Sequence, residues 1–392
     1  MAPISRRVIL AAAPLLPLAP YMTRSLFGQR HHDGSQLYIG TYTHDMGPAG
    51  KADGIYAAEW NADKGTLTPL QLAIKTADPS FLVVPPTGEA LYAVNELGGG
   101  GEEGKVTAFH RDGATGGLVQ RNIVRSGGSA PCHIAVDRGN EAVFVADYGD
   151  GALSSYRVTA KGLEGPVSHF ASEFKRLGLG PDTKRQESPH IHCVTLSPDE
   201  KFLLVSDLGT DHIWIFRVDL ATATLTETKN FFHAKPGSGP RHTHFHPNGR
   251  WVYSINEMGA SVDVLEWHGH TGTLTSVSEV PLREASSPAD STGAELAIDR
   301  AGKFLYASHR TENTLLVFSI EAKTGALSFV QRIGSGGKNP RDFTLDPSGK
   351  WLVAANQDTQ NIVVFARDSH SGKLTQTDHS AHVGAPVCVL FV

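Results

Sequence analysis

Cysteine is scarce in this chain, with three in 392 residues: Cys132, Cys193 and Cys388. None stands in a CxxC pair or at metal-ligand spacing, and an odd number excludes a complete disulfide framework. One bridge is compatible with the count, but buried free thiols are the simpler expectation. Charge is modest too, with 19% Asp, Glu, Lys and Arg and a formal net charge of -5. No basic excess points to nucleic acid or to an anionic membrane surface. There is no GxSxG, so a serine-hydrolase elbow lacks its signature, and there is no HExxH. Gly99, Gly101 and Gly104 formally satisfy GxGxxG, but the strand-like KVTAFH follows where a helix would be needed. Without a helix N-terminus the pattern reads as a loop and not as a phosphate cradle.

Glycine, by contrast, is abundant at 41 residues, as in a turn-rich globular protein. At the N-terminus, Ser5-Arg6-Arg7 precedes an apolar run with no further charge until Arg24. This resembles a twin-arginine export signal and predicts a periplasmic or secreted protein, with the cytoplasm as the alternative. The run is too short and too interrupted by proline to span a bilayer. Residues 1–35 are therefore read as an export-signal-like or disordered segment, and residues 36–392 as the folded domain.

That domain is an internal repeat. Turns recur at Pro86-Thr87-Gly88, Arg138-Gly139-Asn140, Pro198-Asp199-Glu200, Pro247-Asn248-Gly249, Arg300-Ala301-Gly302 and Pro347-Ser348-Gly349, spaced by 52, 60, 49, 53 and 47 residues. Each is followed by a short β-branched or aromatic run, such as AVFVADY or FLLVSDL, and then by another, such as HIWIFRV or TLLVFSI. Such runs, bounded by Gly, Asn and Asp, predict strands. Six copies are complete. A seventh is split between the strands that begin at Gln36 and the lone C-terminal PVCVLFV. Joining the two ends gives an all-β, seven-bladed β-propeller of four-stranded antiparallel blades, its ring closed by the C-terminal strand joining the N-terminal blade. No Trp-Asp signature ends the blades, so a WD40 reading is weak. Residues 172–187 lengthen one repeat and read as a surface loop.

The segments before each turn are the predicted innermost strands, whose side chains converge on one channel mouth. They carry His133, His190 and His192, Arg241 and His242, and Arg341. The next strands end in Asn95-Glu96, Asp147-Tyr148, Asn256-Glu257, His309-Arg310 and Asn356-Gln357. Asp and Asn there suit turn capping. Glu96, Glu257 and Arg310 are long for that task. A buried cluster of cations needs an anionic balance, for which Glu257 or a bound anion would serve. His190 and His192 lie two apart, as do His242, His244 and His246, which on a regular strand puts each set on one side. His244 and His246 read as the wet face of a strand. The histidine spacing matches no zinc signature, and no metal is expected.

The stretches YIGTYT, SPHIHCVTLSPDEKFLLVSDLGTD, GPRHTHFHPNGRWVYSINE and NPRDFTLDPSGKWLVAANQ together resemble the seven-bladed propeller lactonases. That family includes propeller-type 6-phosphogluconolactonases and fungal carboxymuconate-lactonising enzymes. His309 departs from it, since Asn is more usual there. The resemblance implies a lactone hydrolase of the 6-phosphogluconolactonase kind, with no cofactor. His190 or His192, Arg241, Glu257 and Arg310 would be catalytic, and His133, Arg341, His242 and Glu96 substrate-binding. Glu257 or a histidine of PHxH would be the general base, and an arginine would stabilise the oxyanion. The expected partner is a small anionic lactone; nucleic acid, a membrane in the mature form and a second subunit are not expected. A carboxymuconate-type cycloisomerase and a non-catalytic ligand-binding propeller are the alternatives.

Overall fold

The computed structural model describes residues 36–392, apart from 46, 99–101, 114 and 289. The export-like segment and two of the three GxGxxG glycines, Gly99 and Gly101, lie outside the described residues. No helix among the described residues is long and apolar enough to cross a membrane.

Seven antiparallel sheets form the ring, and six of them use four consecutive strands. In the seventh, the C-terminal strand Pro386–Phe391 is innermost and pairs with Gln36–Thr41, Tyr38 opposite Leu390 and Ile39 opposite Val389. The ring therefore closes as the split repeat predicts. Its outer edge is completed by two short strands, Thr66–Leu67 and Gln71–Lys75, both paired with Gly54–Asn61.

Burial follows position in the blade. The second strands Ala142–Asp147, Phe202–Asp207, Trp251–Asn256 and Phe304–His309 are buried at every residue, because each is covered on both faces by neighbouring blades. This is why they read as continuous apolar runs. Outermost strands such as Leu374–His382 expose alternate residues. The core lies between blades. One cluster packs Phe144 and Leu153 against Leu203, Trp214 and Phe216, and another packs Trp251, Tyr253 and Val264 against Leu305 and Phe318.

The repeated T-G turns have a packing role. Gly272, Gly325 and Gly372 have positive φ, and a Cβ on them would lie 2.4, 2.6 and 2.3 Å from Phe202, Trp251 and Phe304 of the preceding blade, respectively. Gly65 meets Trp351 in the same way across the closing seam, at 2.5 Å. Only glycine combines that backbone with that approach. All three cysteines are buried and free.

The segment read as a surface loop is partly anchored. Its 3-10 turn Ser172–Leu177 buries Phe174 against Trp214 and Phe216, with ring centroids 5.6 and 6.1 Å apart.

Candidate active site

The site is made by a defect repeated around the ring. In six blades the innermost pair of strands breaks register near the channel end. Pro131 pairs with Asp147 but His133 with Ala146; Ile191 with Asp207 but Cys193 with Ser206; Pro240 with Asn256 but His242 with Ile255; Pro340 with Asn356 but Asp342 with Ala355. The skipped residues are Cys132, His192, Arg241 and Arg341. A β-bulge leaves its extra residue unpaired and re-aims the side chain. All four of these side chains line the central space.

A second ring lies just past the second strands. Tyr42, Tyr148, Glu257 and Arg310 each donate their backbone N–H to the carbonyl of the residue before the inner strand of their own blade, and Glu96 donates to the Asp78 carbonyl, in the loop that leads to the inner strand Leu82–Val83. These five residues and the bulge residues Cys132, His192 and Arg341 enclose an open pocket of about 670 Å³, with Arg185, Thr292, Thr311, Asn313, Lys338, Asn339 and Asp358 at its walls and rim.

At the pocket floor three guanidiniums meet one carboxylate. Arg241 Nε and Arg310 Nη2 donate to Glu257 Oε2 at 3.1 and 3.0 Å, and Arg185 Nη2 donates to Oε1 at 2.6 Å. Arg185 also reaches the Tyr148 hydroxyl at 3.2 Å. On the other side, Arg341 Nη2 donates to the Tyr42 hydroxyl, which donates to Glu96 Oε1, each at 2.9 Å.

The fold is shared with known proteins. Residues 36–391 match the lactonase model, described as a 7-bladed beta-propeller. The chain is 33% identical over 356 residues to a protein of Bacillus subtilis named 6-phosphogluconolactonase, covering 91% of this chain and 97% of that one. It is 34% identical over 314 residues to one of the same name from Formosa agariphila, covering 79% of this chain and 86% of that one. A solved structure titled as a periplasmic gluconolactonase of Pseudomonas aeruginosa superposes with a TM-score of 0.83 at 30% identity, covering 91% and 98% of the two chains. The chain belongs to the seven-bladed β-propeller lactonase family.

Within this lactonase, the residues singled out from sequence divide into three groups. His192, Arg310, Arg341, Glu257 and Glu96 line the pocket. Arg241 lies behind Glu257 and is buried, its Nη1 donating to the Ala294 carbonyl at 2.7 Å. His190, His242 and His133 do not line the pocket. His190 precedes the bulged strand, so it does not share a face with His192. Its ring stacks on Tyr148 at 4.5 Å and its Nδ1 donates to the Tyr148 carbonyl at 2.7 Å, so it positions that tyrosine. His242 bridges Glu295, 2.6 Å from Nδ1, and Arg241, 3.2 Å from Nε2. His133 contacts His242 and Phe81, with centroids 5.1 and 4.2 Å away, and together these rings floor the channel.

His244 is half-exposed and reaches Glu295 at 3.4 Å, whereas His246 is buried and bonds the Gly302 carbonyl of the next blade at 2.9 Å. His246 is thus interblade scaffold and not the wet face of a strand. His309 is fully buried; its Nδ1 accepts from the Glu312 amide at 3.1 Å, and its Nε2 has no partner among the described residues.

The electrostatics set protonation states. Burial pushes the Glu257 carboxyl upward, but Arg310, Arg241 and Arg185 outweigh it and hold it well below the usual carboxylate range. Burial, then Arg241, keeps His192 neutral at ordinary pH. Burial likewise lowers His242 to about 4, with Glu295 opposing and Arg241 assisting. Burial lowers Arg310 to about 10 against the pull of Glu257, which leaves it cationic near neutrality.

Arg185, Tyr148, Tyr42 and Lys338 were missed as site residues from sequence. Tyr42 and Tyr148 occupy the same repeat position as Glu96 and Glu257, so alignment of the copies carried that signal. Arg185 carried none, because it lies in the lengthened loop outside the repeat. Among the described residues, no group of three or more His, Cys, Asp or Glu side chains could hold a metal.

Proposed function

We propose that this lactonase opens the ring of a sugar-acid lactone of the 6-phosphogluconolactone class by attack of water. One observation carries the reading: the pocket is lined by four cations, Arg185, Arg310, Lys338 and Arg341, against the three carboxylates Glu96, Glu257 and Asp358. A site with a surplus of positive charge suits an anionic substrate and an anionic transition state. Arg310 and Arg341 face the pocket from its floor and are placed to receive the developing oxyanion. One such preorganised donor is worth about 2.7–4 kcal/mol. Arg241 is walled off by Glu257 and supports the reaction by fixing that carboxylate. Lys338 is exposed at the rim and forms no ion pair among the described residues, so it is the cation free to take a phosphate. Asn313, Asn339, Thr292 and Thr311 supply polar groups for sugar hydroxyls.

Of the two bases suggested by sequence, Glu257 is poorly suited. Both of its oxygens accept from guanidiniums, and its role is that of a counter-ion. His192 is held neutral and lines the pocket, with Nε2 4.0 Å from Glu257 Oε2.

Export fits the likeness to a protein titled periplasmic, together with Arg6-Arg7. Substituting both arginines by lysine should then retain the protein in the cytoplasm.

The deciding experiment supplies purified protein with phosphorylated, unphosphorylated and dicarboxylic lactones and subtracts the spontaneous rate. Acceleration of a phosphorylated sugar lactone is the expected result. Turnover of a muconate-type dicarboxylate alone would replace this reading with a cycloisomerase.

A further inference from the structure

Beneath the pocket lies a second, much smaller chamber of about 10 Å³, walled by Ser80, Glu96, Cys132, Arg241, His242 and Arg341 among others. Its volume is close to the minimum for one water molecule. Two of its polar wall atoms, Ser80 Oγ and Glu96 Oε2, are buried and have no hydrogen-bond partner among the described residues. A buried polar atom left unpaired costs about 1–3 kcal/mol, and an ordered water is the usual remedy. Glu96, Cys132 and Arg341 line both spaces, so the chamber abuts the pocket floor.

We propose that this chamber seats the water that opens the lactone, and that Glu96 is the base that deprotonates it. The proposal rests on the lactone-hydrolase reading. Glu96 Oε2 takes one proton from the water. The water oxygen bonds to the lactone carbonyl carbon, and the carbonyl π pair moves onto the carbonyl oxygen, facing Arg310 and Arg341. Collapse restores the carbonyl and breaks its bond to the ring oxygen. The ring oxygen leaves with the proton returned by Glu96. Lactone and water give a hydroxy acid, and the carboxylate is regenerated.

The other groups near this water are occupied. His242 has Nδ1 against Glu295 and Nε2 against Arg241. Asp342 accepts from the Val389 amide at 2.5 Å, and burial beside Glu295 keeps it protonated. His192 does not line the chamber; its nitrogens lie 3.8 Å from Cys132 Sγ and 4.0 Å from Glu257 Oε2. Glu96 alone presents an unengaged carboxylate oxygen. Its other oxygen is fixed by Tyr42, which Arg341 holds in turn.

The test is Glu96→Gln, which keeps the shape and the Tyr42 bond. The expected result is a fall in kcat of about 10²–10⁴-fold with KM changed only a few-fold. Turnover by Glu96→Ala should be restored in part by added formate, which should not stimulate the wild type. Should the Glu96 variants misfold, Ser80→Val adds bulk to another wall residue of the chamber and should lower kcat in the same way. Undiminished kcat in Glu96→Gln or in Ser80→Val, with an active wild type, overturns the proposal and leaves the lactonase reading standing. A wild type that opens no lactone faster than the spontaneous rate overturns both.

Discussion

Arg185 crosses from the lengthened loop of one blade to bond Glu257 in the next, its Nη2 2.6 Å from Oε1. Arg241 and Arg310 hold the other oxygen of the same carboxylate from below. The three are not equivalent. The Arg185 side chain is 42% exposed, that of Arg310 15% and that of Arg241 3%. Loss of Arg185 should therefore cost under about 1 kcal/mol of stability, as for other solvated ion pairs. Its effect should appear at the pocket wall, where it also holds Tyr148. Arg185→Ala is expected to raise KM several-fold with little change in melting temperature, as measured by steady-state kinetics beside a thermal melt. Arg241→Ala should do the reverse in weight, lowering stability and kcat together.

Removing Glu257 leaves buried guanidiniums without their counter-charge. Breaking a buried pair in this way typically costs about 3–5 kcal/mol. Glu257→Ala should show that loss in urea denaturation near neutral pH, and Glu257→Gln somewhat less.

The same carboxylate makes a pH prediction. Its folded pKa is depressed, because the arginines overcome the upward push of burial. In the unfolded chain it titrates at roughly 4.3. Its contribution is thus complete above that value and is lost as pH falls toward the folded pKa, since only the unfolded state takes up the proton in between. The stability gap between wild type and Glu257→Gln should stay level from about pH 7 to 5 and shrink below about pH 4. A gap that does not narrow on acidification would mean that Glu257 is not held ionised by its neighbours.

Much of the fold was legible because the repeat wrote it several times. Strands covered on both faces gave continuous apolar runs, turns gave their glycines, and the split seventh copy gave the closure. The site was legible only in part. Period-two reasoning put His190 beside His192, but a bulge at Ile191/Cys193 separates them. Nothing in that composition signals an extra unpaired residue. An equivalent bulge in the next blade, at Pro240/His242, accompanies the split of Arg241 and His242, adjacent in sequence, between the carboxylate and the channel floor. Arg185 was illegible for a different reason. It reaches Glu257 across 72 residues from a segment with no copy elsewhere in the ring.

Under the proposed reading, Lys338 would carry the choice between phosphorylated and plain lactones. Among the described residues it is the rim cation without an acidic partner, whereas Arg185 and Arg310 are shared with Glu257. Lys338→Ala should raise KM for a phosphorylated lactone about tenfold, equivalent to about 1.4 kcal/mol, and leave an unphosphorylated one almost unchanged. Added salt should weaken phosphorylated-lactone binding by the wild type more than by the variant, because the contact is exposed to screening. Equal effects on both substrates would move the phosphate site elsewhere in the pocket.

The closing seam joins stability to the site. Pro386–Phe391 supplies the inner strand beside Gln36–Thr41, and Tyr42, one residue past that partner strand, bonds both Arg341 and Glu96. The seam is held further by the Val389 amide on Asp342, by the Trp351 indole donating to the Ala62 carbonyl at 2.8 Å, and by Gly65 packed on Trp351. Val389→Pro would remove the amide that Asp342 accepts from and force proline into a paired inner strand, a position where it is poorly tolerated. The expected outcome is a lower urea midpoint with the transition still single, and a loss of turnover larger than the unfolded fraction explains, because Tyr42 loses its anchor. Deleting residues 386–392 should go further, exposing the edge of Gln36–Thr41 and producing association or failure to fold. A deletion variant that melts like the wild type and keeps its turnover would show that contacts other than this strand close the ring.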